Sequence, residues 1–332
     1  MDNLFKNKRI LVTGGTGSFG HQIVDRLLKL DPEEIRIFSR DEDKQHRMQY
    51  EYKNNPKLRF IIGDVRIKET LRSAMRNVDI VFHAAALKQV PSCEYNVFEA
   101  VRTNVYGAQN VIESALEENV EKVIAISTDK AVEPVNVMGM TKAIQERLFI
   151  SANKHRDGKK TVFACVRYGN VLGSRGSVVP LFRHQIDHDE DITITDSSMT
   201  RFILTLDNAI NLVFKSVDYS VGGEIFVLKL PAHTLKDLAE IMVEASGKKV
   251  KIKEIGIRPG EKIHETLVSP TESMRTIEKG DLYIILPQIE IKDIEKKYKN
   301  YKNDSLFRFS SDMAPKLSKK KLKELLKKEK WI

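Results

Sequence analysis

The stretch ILVTGGTGSFG, running from Ile10 to Gly20, decides the fold. Ile10–Thr13 is a short apolar, β-branched run of strand type, and Gly14, Gly17 and Gly20 then recur at every third position into an amphipathic segment. Gly14 permits a tight turn, Gly17 lets the backbone approach a pyrophosphate, and Gly20 allows a helix to pack closely on the strand. Thr16, Ser18 and Phe19 complete the loop, whose free N–H groups at the helix start attract an anion. Between a strand and a helix this spacing points to a dinucleotide; glycines that only mark a turn are the alternative.

Working outward, strand-length apolar runs recur at Arg9–Thr13, Ile35–Ser39, Leu58–Ile62, Ile80–Ala84, Val123–Ser127 and Val162–Arg167. Amphipathic helical segments lie between them, among them Ile23–Leu30, Glu69–Met75, Ala100–Glu118 and Thr141–His155. Such alternation predicts an α/β fold, a doubly wound, Rossmann-like parallel sheet that binds its ligand at the carboxyl ends of the strands. After Asn170 the rhythm changes to short elements punctuated by Pro180, Pro231, Pro259 and Pro270. A smaller α+β substrate-binding domain is expected there. The expected boundaries are 1–170 for the cofactor domain, with 200–222 returning to it, 171–291 for the substrate domain, and 292–332 for a C-terminal segment and basic tail. In that last part, Lys292–Ser311 shows no period and Lys319–Lys328 reads as a helix.

The chain has 332 residues, 41% of them hydrophobic and 30% charged, which excludes a disordered or low-complexity protein. No apolar run approaches the length of a membrane helix, and Met1–Arg9 is too polar for a signal peptide. With Cys93 and Cys165 as the two cysteines and no CxxC, neither a disulfide framework nor a metal site is expected, and a reducing cytoplasm is the expected location. The net charge of +9 sits mostly in the tail: Met313–Ile332 holds eight lysines against Glu324 and Glu329. A solvated basic helix is the plain reading of that run, and without interleaved aromatics it is no nucleic-acid surface.

The second strand ends Ser39-Arg40-Asp41, with Lys44 one turn on. A hydroxyl and two cations suit a ribose 2′-phosphate and favour NADP, while Asp41 keeps NAD open. Asp64, followed by Val65, stands after the third strand, either to meet the adenine amino group or to cap a helix. The fourth strand ends His83-Ala84-Ala85-Ala86-Leu87-Lys88: small residues on which a cofactor can lie, then a cation for phosphate or sugar. His83, inside an apolar strand, reads as a structural residue rather than a base. Asn104 lies on a helix from which it can brace this backbone.

The fifth strand ends Ser127-Thr128-Asp129-Lys130, and an acid beside an amine at a strand's carboxyl end is the best acid/base pair in the chain. An exposed turn pair is the alternative. Met138 and Lys142 follow at the start of a helix, with Lys142 placed to hold the nicotinamide ribose.

Together GGTGSFG, SRDE, GDVR, HAAALKQVP, STDKA, RYGNVLGSRGSVVPLF, MTRF and IRPGEKIHE resemble the nucleotide-sugar branch of the extended short-chain dehydrogenases, and within it the UDP-N-acetylglucosamine 4,6-dehydratases that invert carbon 5. The likeness covers Lys8 to Glu265. The family's Tyr-x-x-x-Lys is broken, with Met138 in place of the tyrosine, which is similar to capsule-pathway members that make the precursor of N-acetyl-L-fucosamine.

The resemblance implies an internal redox cycle. A hydride leaves C4, a base takes the C5 proton, water leaves C6, the hydride returns to C6, and C5 is reprotonated from the other face. Lys130 is then the expected C5 base, its pKa lowered by burial or a nearby cation, and Asp129 the acid at the C6 oxygen. In the absence of the tyrosine, Thr128 is expected to position the C4 hydroxyl, with water or Lys130 taking its proton. Tyr168 and Asn170 are implied near the nicotinamide and sugar, Arg175 to Val178 (with Ser177) in the sugar cleft, and Thr200, Arg201, Arg258 and Glu261 at the diphosphate and uridine ribose. An ion pair is the structural alternative for Arg258 and Glu261. The substrate implied is UDP-N-acetylglucosamine or a related UDP-hexosamine, turned over by a homo-oligomer, hexamers included, for surface polysaccharide synthesis. The aromatics of Lys292–Ser311 (Tyr298, Tyr301, Phe307, Phe309) are expected to dock on a neighbour or on their own substrate lobe. A UDP-hexose 4-epimerase, or a cofactor-binding regulator that has lost catalysis at Met138, are the rival readings.

Overall fold

A computed structural model describes residues 3–156, 158–174, 176–301 and 305–332. Strands β1 (Arg9–Thr13), β2 (Glu34–Ser39), β3 (Leu58–Ile62), β4 (Ile80–His83), β5 (Lys122–Thr128) and β6 (Val162–Tyr168) pair in parallel in the order β3-β2-β1-β4-β5-β6. The order reverses at β1, which lies between β2 and β4, so a crevice opens at the carboxyl ends of these strands. Strand interiors are apolar because helices cover both faces: Ile10, Leu11, Val12, Ile35, Ile37, Val81, Phe82, Val123 and Ile124 are all buried.

The sheet extends further than the sequence suggests. Ile225–Leu228 adds in parallel to β6, Leu282–Ile285 pairs antiparallel with it, and Thr276–Lys279 forms the edge. The expected 171–291 unit therefore supplies three strands to the main sheet, and Ile225, Phe226, Leu282, Ile284 and Ile285 share its core. The chain leaves the sheet after β6 and returns, which no local pattern announces. Helix Leu206–Tyr219 packs against β5, β6 and the first helix.

A second apolar core gathers Val179, Phe182, Ile186, Ile192, Ile194, Leu238, Met242, Leu322 and Leu326. Two of these belong to helix Lys319–Lys328, so the basic tail is not simply solvated. Its leucines are buried, while Lys319 pairs with Glu240 and Lys323 with Glu244 on helix Leu235–Ser246. The Lys292–Ser311 aromatics also turn inward. Phe309 packs on Phe202 and Tyr283, Phe307 stacks on Tyr283, and the Tyr298 hydroxyl reaches Glu224. Tyr298, Phe307 and Phe309 thus dock on their own chain, the second of the two expected outcomes, while Tyr301 stays exposed.

Candidate active site

A cleft of about 1040 Å³ runs along the carboxyl ends of the strands, from the glycine-rich loop to the Arg258–Glu261 loop. Helix α1 (Ser18–Leu28) begins within the GTGSFG loop, five residues before its apolar face, with Gly17 at the cap position. Gly14 has φ +68°, and a side chain there would press on Ala85 N at 2.8 Å; at Gly20 it would collide with Gly15 O. The loop is thus fitted tightly to β4 and α1, while Gly14, Thr16, Gly17, Ser18 and Phe19 face the cleft. Gly20 serves the packing and does not line it. These residues fit a dinucleotide: a cradle that side chains would fill, with free N–H groups at a helix start.

At the end of β2, Ser39, Arg40, Asp41 and Lys44 all line the cleft. Asp41 caps α2 (Glu42–Glu51), accepting from Lys44 N at 3.0 Å, and its carboxylate also pairs with Lys44 Nζ. Ser39 Oγ accepts from Gln45. The Arg40 side chain is half exposed, 3.8 Å from Asp64. Asp64 is held chiefly by Arg66, with bonds of 2.9 and 2.6 Å from its guanidinium. Burial raises the Asp64 carboxyl, but Arg66 outweighs this and keeps it below the usual carboxylate range.

Val65, Ala84, Ala85, Ala86 and Lys88 continue the lining. Asn104 does not reach the cleft. Its amide bonds Leu87 N at 2.8 Å, Leu87 O at 3.0 Å and Thr141 Oγ1 at 3.0 Å, so it braces the Ala84–Lys88 wall from behind. It sits in a π-helical turn, Arg102–Tyr106, that interrupts the helix expected over Ala100–Glu118. His83 is buried and pushed down to about 3 by that burial, its Nδ1 2.8 Å from Thr13 Oγ1. It is a neutral structural residue.

The centre lies at the end of β5. Asp129 is buried, and its Oδ1 accepts from Thr128 Oγ1 at 2.9 Å and from Lys130 Nζ at 3.1 Å. Lys130 Nζ also lies 3.0 Å from Glu265 Oε1. Thr128, Lys130 and Glu265 line the cleft, whereas Asp129 sits beneath them. Burial pulls the Lys130 ammonium down, but Asp129 and Glu265 outweigh it and hold its pKa above the usual lysine range. This reverses the lowered pKa expected from sequence, because two carboxylates face one amine. Burial raises the Asp129 carboxyl, and the charge of Glu265 adds to that rise against the pull of Lys130.

Helix Val137–Ala152 starts at Val137, capped by Asn136 Oδ1 on Gly139 N at 2.8 Å, which puts Met138 in its first turn. Met138 packs with Cys93 and Ala100 and faces the cleft. Lys142 Nζ donates to Ile126 O at 2.6 Å and Gln145 Oε1 at 2.7 Å, and burial lowers its pKa to about 8. Ser127 lines the cleft, but its hydroxyl is committed to Glu146 at 2.6 Å.

Tyr168, Asn170, Ser177, Val178, Arg201, Arg258 and Glu261 form the remaining wall. Arg175 lies outside the described residues. Two expected substrate contacts have other duties. Arg201 spends its donors on Thr200 O, Ile263 O, Lys262 O and Met199 Sδ, clamping the 262–263 backbone. Thr200 is buried off the cleft, with Oγ1 2.8 Å from His264 Nδ1 and 2.7 Å from Ser311 Oγ. The Arg258–Glu261 contact is a backbone one, Arg258 N to Glu261 Oε2 at 3.4 Å, and no Arg258 ion pair occurs among the described residues. Glu265 is the residue the motif reading passed over. It closes the IRPGEKIHE stretch, but only the fold brings it to Lys130.

The family model for polysaccharide biosynthesis proteins matches residues 10–287. A UDP-glucose 4-epimerase of Rickettsia felis is 49% identical over 286 residues, covering 85% of this chain and 84% of its own. A protein of Methanocaldococcus jannaschii described as an uncharacterised membrane protein is 47% identical over 98% of this chain and 97% of its own; among the described residues here, no helix is long and apolar enough to cross a membrane. The crystal structure of Pen from Bacillus thuringiensis superposes with a TM-score of 0.91 at 42% identity, covering 98% of this chain and 99% of that one. With its doubly wound sheet, smaller mixed sheets and glycine-rich loop at the first helix, the chain belongs to the polysaccharide biosynthesis protein family, a branch of the extended short-chain dehydrogenases acting on nucleotide sugars.

Proposed function

We propose that this protein is a UDP-N-acetylglucosamine 4,6-dehydratase that inverts carbon 5, with NADP as its cofactor. The observation that carries the reading is the buried Asp129–Lys130 contact of 3.1 Å at the cleft floor. An epimerase that only exchanges a hydride at C4 has no use for such a pair; a dehydratase needs both a base at C5 and an acid at the C6 oxygen.

One proton moved across that contact turns ammonium and carboxylate into amine and carboxylic acid. Both reagents then arise together, without proton exchange with solvent, and burial favours the uncharged pair. Lys130 Nζ takes the C5 proton as Asp129 gives its own, relayed through the adjoining Thr128 hydroxyl, to the departing C6 hydroxyl, which leaves as water. A bound NADP would supply the hydride acceptor for C4 and, once reduced, the donor for C6. Lys142, held by Ile126 O and Gln145, is placed to anchor the nicotinamide ribose. The Arg40 guanidinium, half exposed at the end of β2, suits a 2′-phosphate, and Asp41 is engaged by Lys44. Met138 neither takes nor gives a proton, so Thr128 orients the C4 hydroxyl, whose proton passes to water as the hydride leaves.

A UDP-hexose 4-epimerase is the second reading, favoured by the name of the Rickettsia relative. Incubation with UDP-N-acetylglucosamine, with the product weighed by mass spectrometry, separates them: a dehydratase product is lighter by one water, an epimerase product is not.

We propose further that the chain self-associates. Exposed apolar side chains cluster on neighbouring helices, with Tyr95, Val97, Phe98 and Tyr106 on one run and Met140 and Ile144 on helix Val137–Ala152.

A further inference from the structure

The Asp129–Lys130 pair does not stand alone. Lys130 Nζ lies 3.0 Å from Glu265 Oε1 and 3.1 Å from Asp129 Oδ1, so one ammonium bridges two buried carboxylates. Glu265 arrives from a different part of the chain and is fixed there. Its N–H donates to Ser311 Oγ at 3.0 Å, its carbonyl accepts from Ser311 N at 2.8 Å, and Arg201 clamps Lys262 and Ile263 just before it. A carboxylate held this firmly, and 2% exposed, sits beside an acid/base pair for a reason other than solubility.

We propose that Glu265 is a positioning residue for the reaction: it holds the Lys130 amine against Asp129 and sets the pH range over which the two exchange their proton. This rests on the dehydratase reading above. Two positive groups and one negative group bear on the cluster besides its own members. Arg201 acts on both Lys130 and Glu265, Lys262 acts on Glu265 and donates its own proton to Val132 O, and Glu133 faces Lys262.

The sign of the effect follows from charge. Glu265 is an anion beside Lys130, so it favours the ammonium and keeps the amine form to higher pH; the same charge favours protonated Asp129. Lys130 works as the amine, so the rate rises with pH through its titration. Asp129 works as the acid, so the rate falls as pH passes its titration. Removing the charge of Glu265 lowers both values, and the whole bell of kcat/KM against pH moves toward acid. A side chain that only packs the loop would lower the rate and leave the bell in place.

Glu265→Gln keeps the shape and removes the charge, and Glu265→Asp keeps the charge. In the full-length protein, with UDP-N-acetylglucosamine as substrate and water loss as readout, Glu265→Gln is expected to shift both limbs acidward by about one pH unit or more. Glu265→Asp is expected to restore the parent limbs at a reduced rate. A Gln variant whose rate falls while both limbs stay put overturns the proposal, as does one with parent rate and profile. The parent assayed alongside tells the two claims apart: a parent that removes no water contradicts the dehydratase reading alone. The positioning claim is then read without substrate, by NMR titration of the ¹³Cε signal of Lys130, identified by its loss in Lys130→Met. A lower titration midpoint in Glu265→Gln supports it; an unmoved midpoint overturns it. Should Glu265→Gln fail to fold, the same titration in Glu265→Asp decides, since a kept charge predicts a kept midpoint and a shift of a unit or more contradicts it.

Discussion

At the residue scale, the account divides the work between two neighbours. Lys130→Ala is expected to abolish both water loss and deuterium uptake at C5 from heavy water. Asp129→Asn removes both the acid and the group that takes the Lys130 proton, so water loss falls about 10²–10⁴-fold and C5 exchange persists only at a pH high enough to free the amine. Met138→Ala costs only packing against Cys93 and Ala100, and its rate stays within about tenfold of the parent. Exchange followed by NMR checks all three, and Lys130→Ala with undiminished C5 exchange would place the base elsewhere. Cofactor choice is a second residue-scale matter. Arg40 is the half-exposed cation at the end of β2, with a long 3.8 Å contact to Asp64, so the parent is expected to bind NADP more tightly than NAD, and Arg40→Asp to reverse the order; equal titration of both by the parent contradicts the 2′-phosphate assignment.

At the scale of elements, a buried ion network ties β6 to helix Val137–Ala152 and to the 267–272 loop. Arg167, fully buried, donates to Glu146 at 2.7 and 3.0 Å, to Glu272 at 2.9 and 3.1 Å, and to Leu267 O at 2.8 Å. Burial alone would raise the Glu272 carboxyl, but Arg167 overrides it and lowers the pKa to about 2. A depressed carboxyl contributes stability that is whole above its unfolded value and is lost as pH falls toward the folded one. Stability should therefore decline between about pH 4.5 and pH 2. Glu272→Gln leaves Arg167 with Glu146 and Leu267 O alone and is expected to cost about 1.5–3 kcal/mol at neutral pH, measured by urea unfolding, and to flatten that acid decline. A parent-like midpoint would contradict the role given to the network.

Elements were also where the sequence spoke most clearly. The six strands lie within a residue or so of the apolar runs, because both faces of a parallel sheet are covered and each strand reads as one unbroken run. Two helices, Ser18–Leu28 and Val137–Ala152, start five and four residues before the amphipathic pattern does. The functional segments Ser18–Gly20 and Val137–Met140 precede the amphipathic repeat, and Asn136 announces its helix only as a cap. The strands at 225–228, 276–279 and 282–285 were assigned elsewhere, since return to a distant sheet edge leaves no local mark. In the site, the loop glycines and the Asp129–Lys130 pair were legible as neighbours in sequence. Glu265, and the diversion of Arg201 and Thr200 to clamping duties, depend on contacts across the fold and were not.

At the scale of the whole molecule, the basic tail and the exposed apolar helices carry the remaining expectations. Leu322 and Leu326 close the second core over helix Leu235–Ser246, so the tail belongs to the folded body. The apolar side chains at Tyr95, Phe98, Tyr106 and Ile144 are left on the surface, and a monomer has no evident use for them. The protein is therefore expected to be a homo-oligomer at micromolar concentration, and the double substitution Phe98→Glu, Ile144→Glu to lower its mass by light scattering without unfolding it. A parent of monomeric mass would contradict this.

One measurement bears most directly on the central claim, that a buried acid–amine pair beside a dinucleotide cleft removes water and inverts carbon 5. The protein is incubated in heavy water with NADP and UDP-N-acetylglucosamine, and the product is read by mass and proton NMR. The account predicts a sugar lighter by one water, with deuterium at C5 and inverted geometry there. A product of unchanged composition, epimerised at C4 and carrying no deuterium at C5, would contradict it.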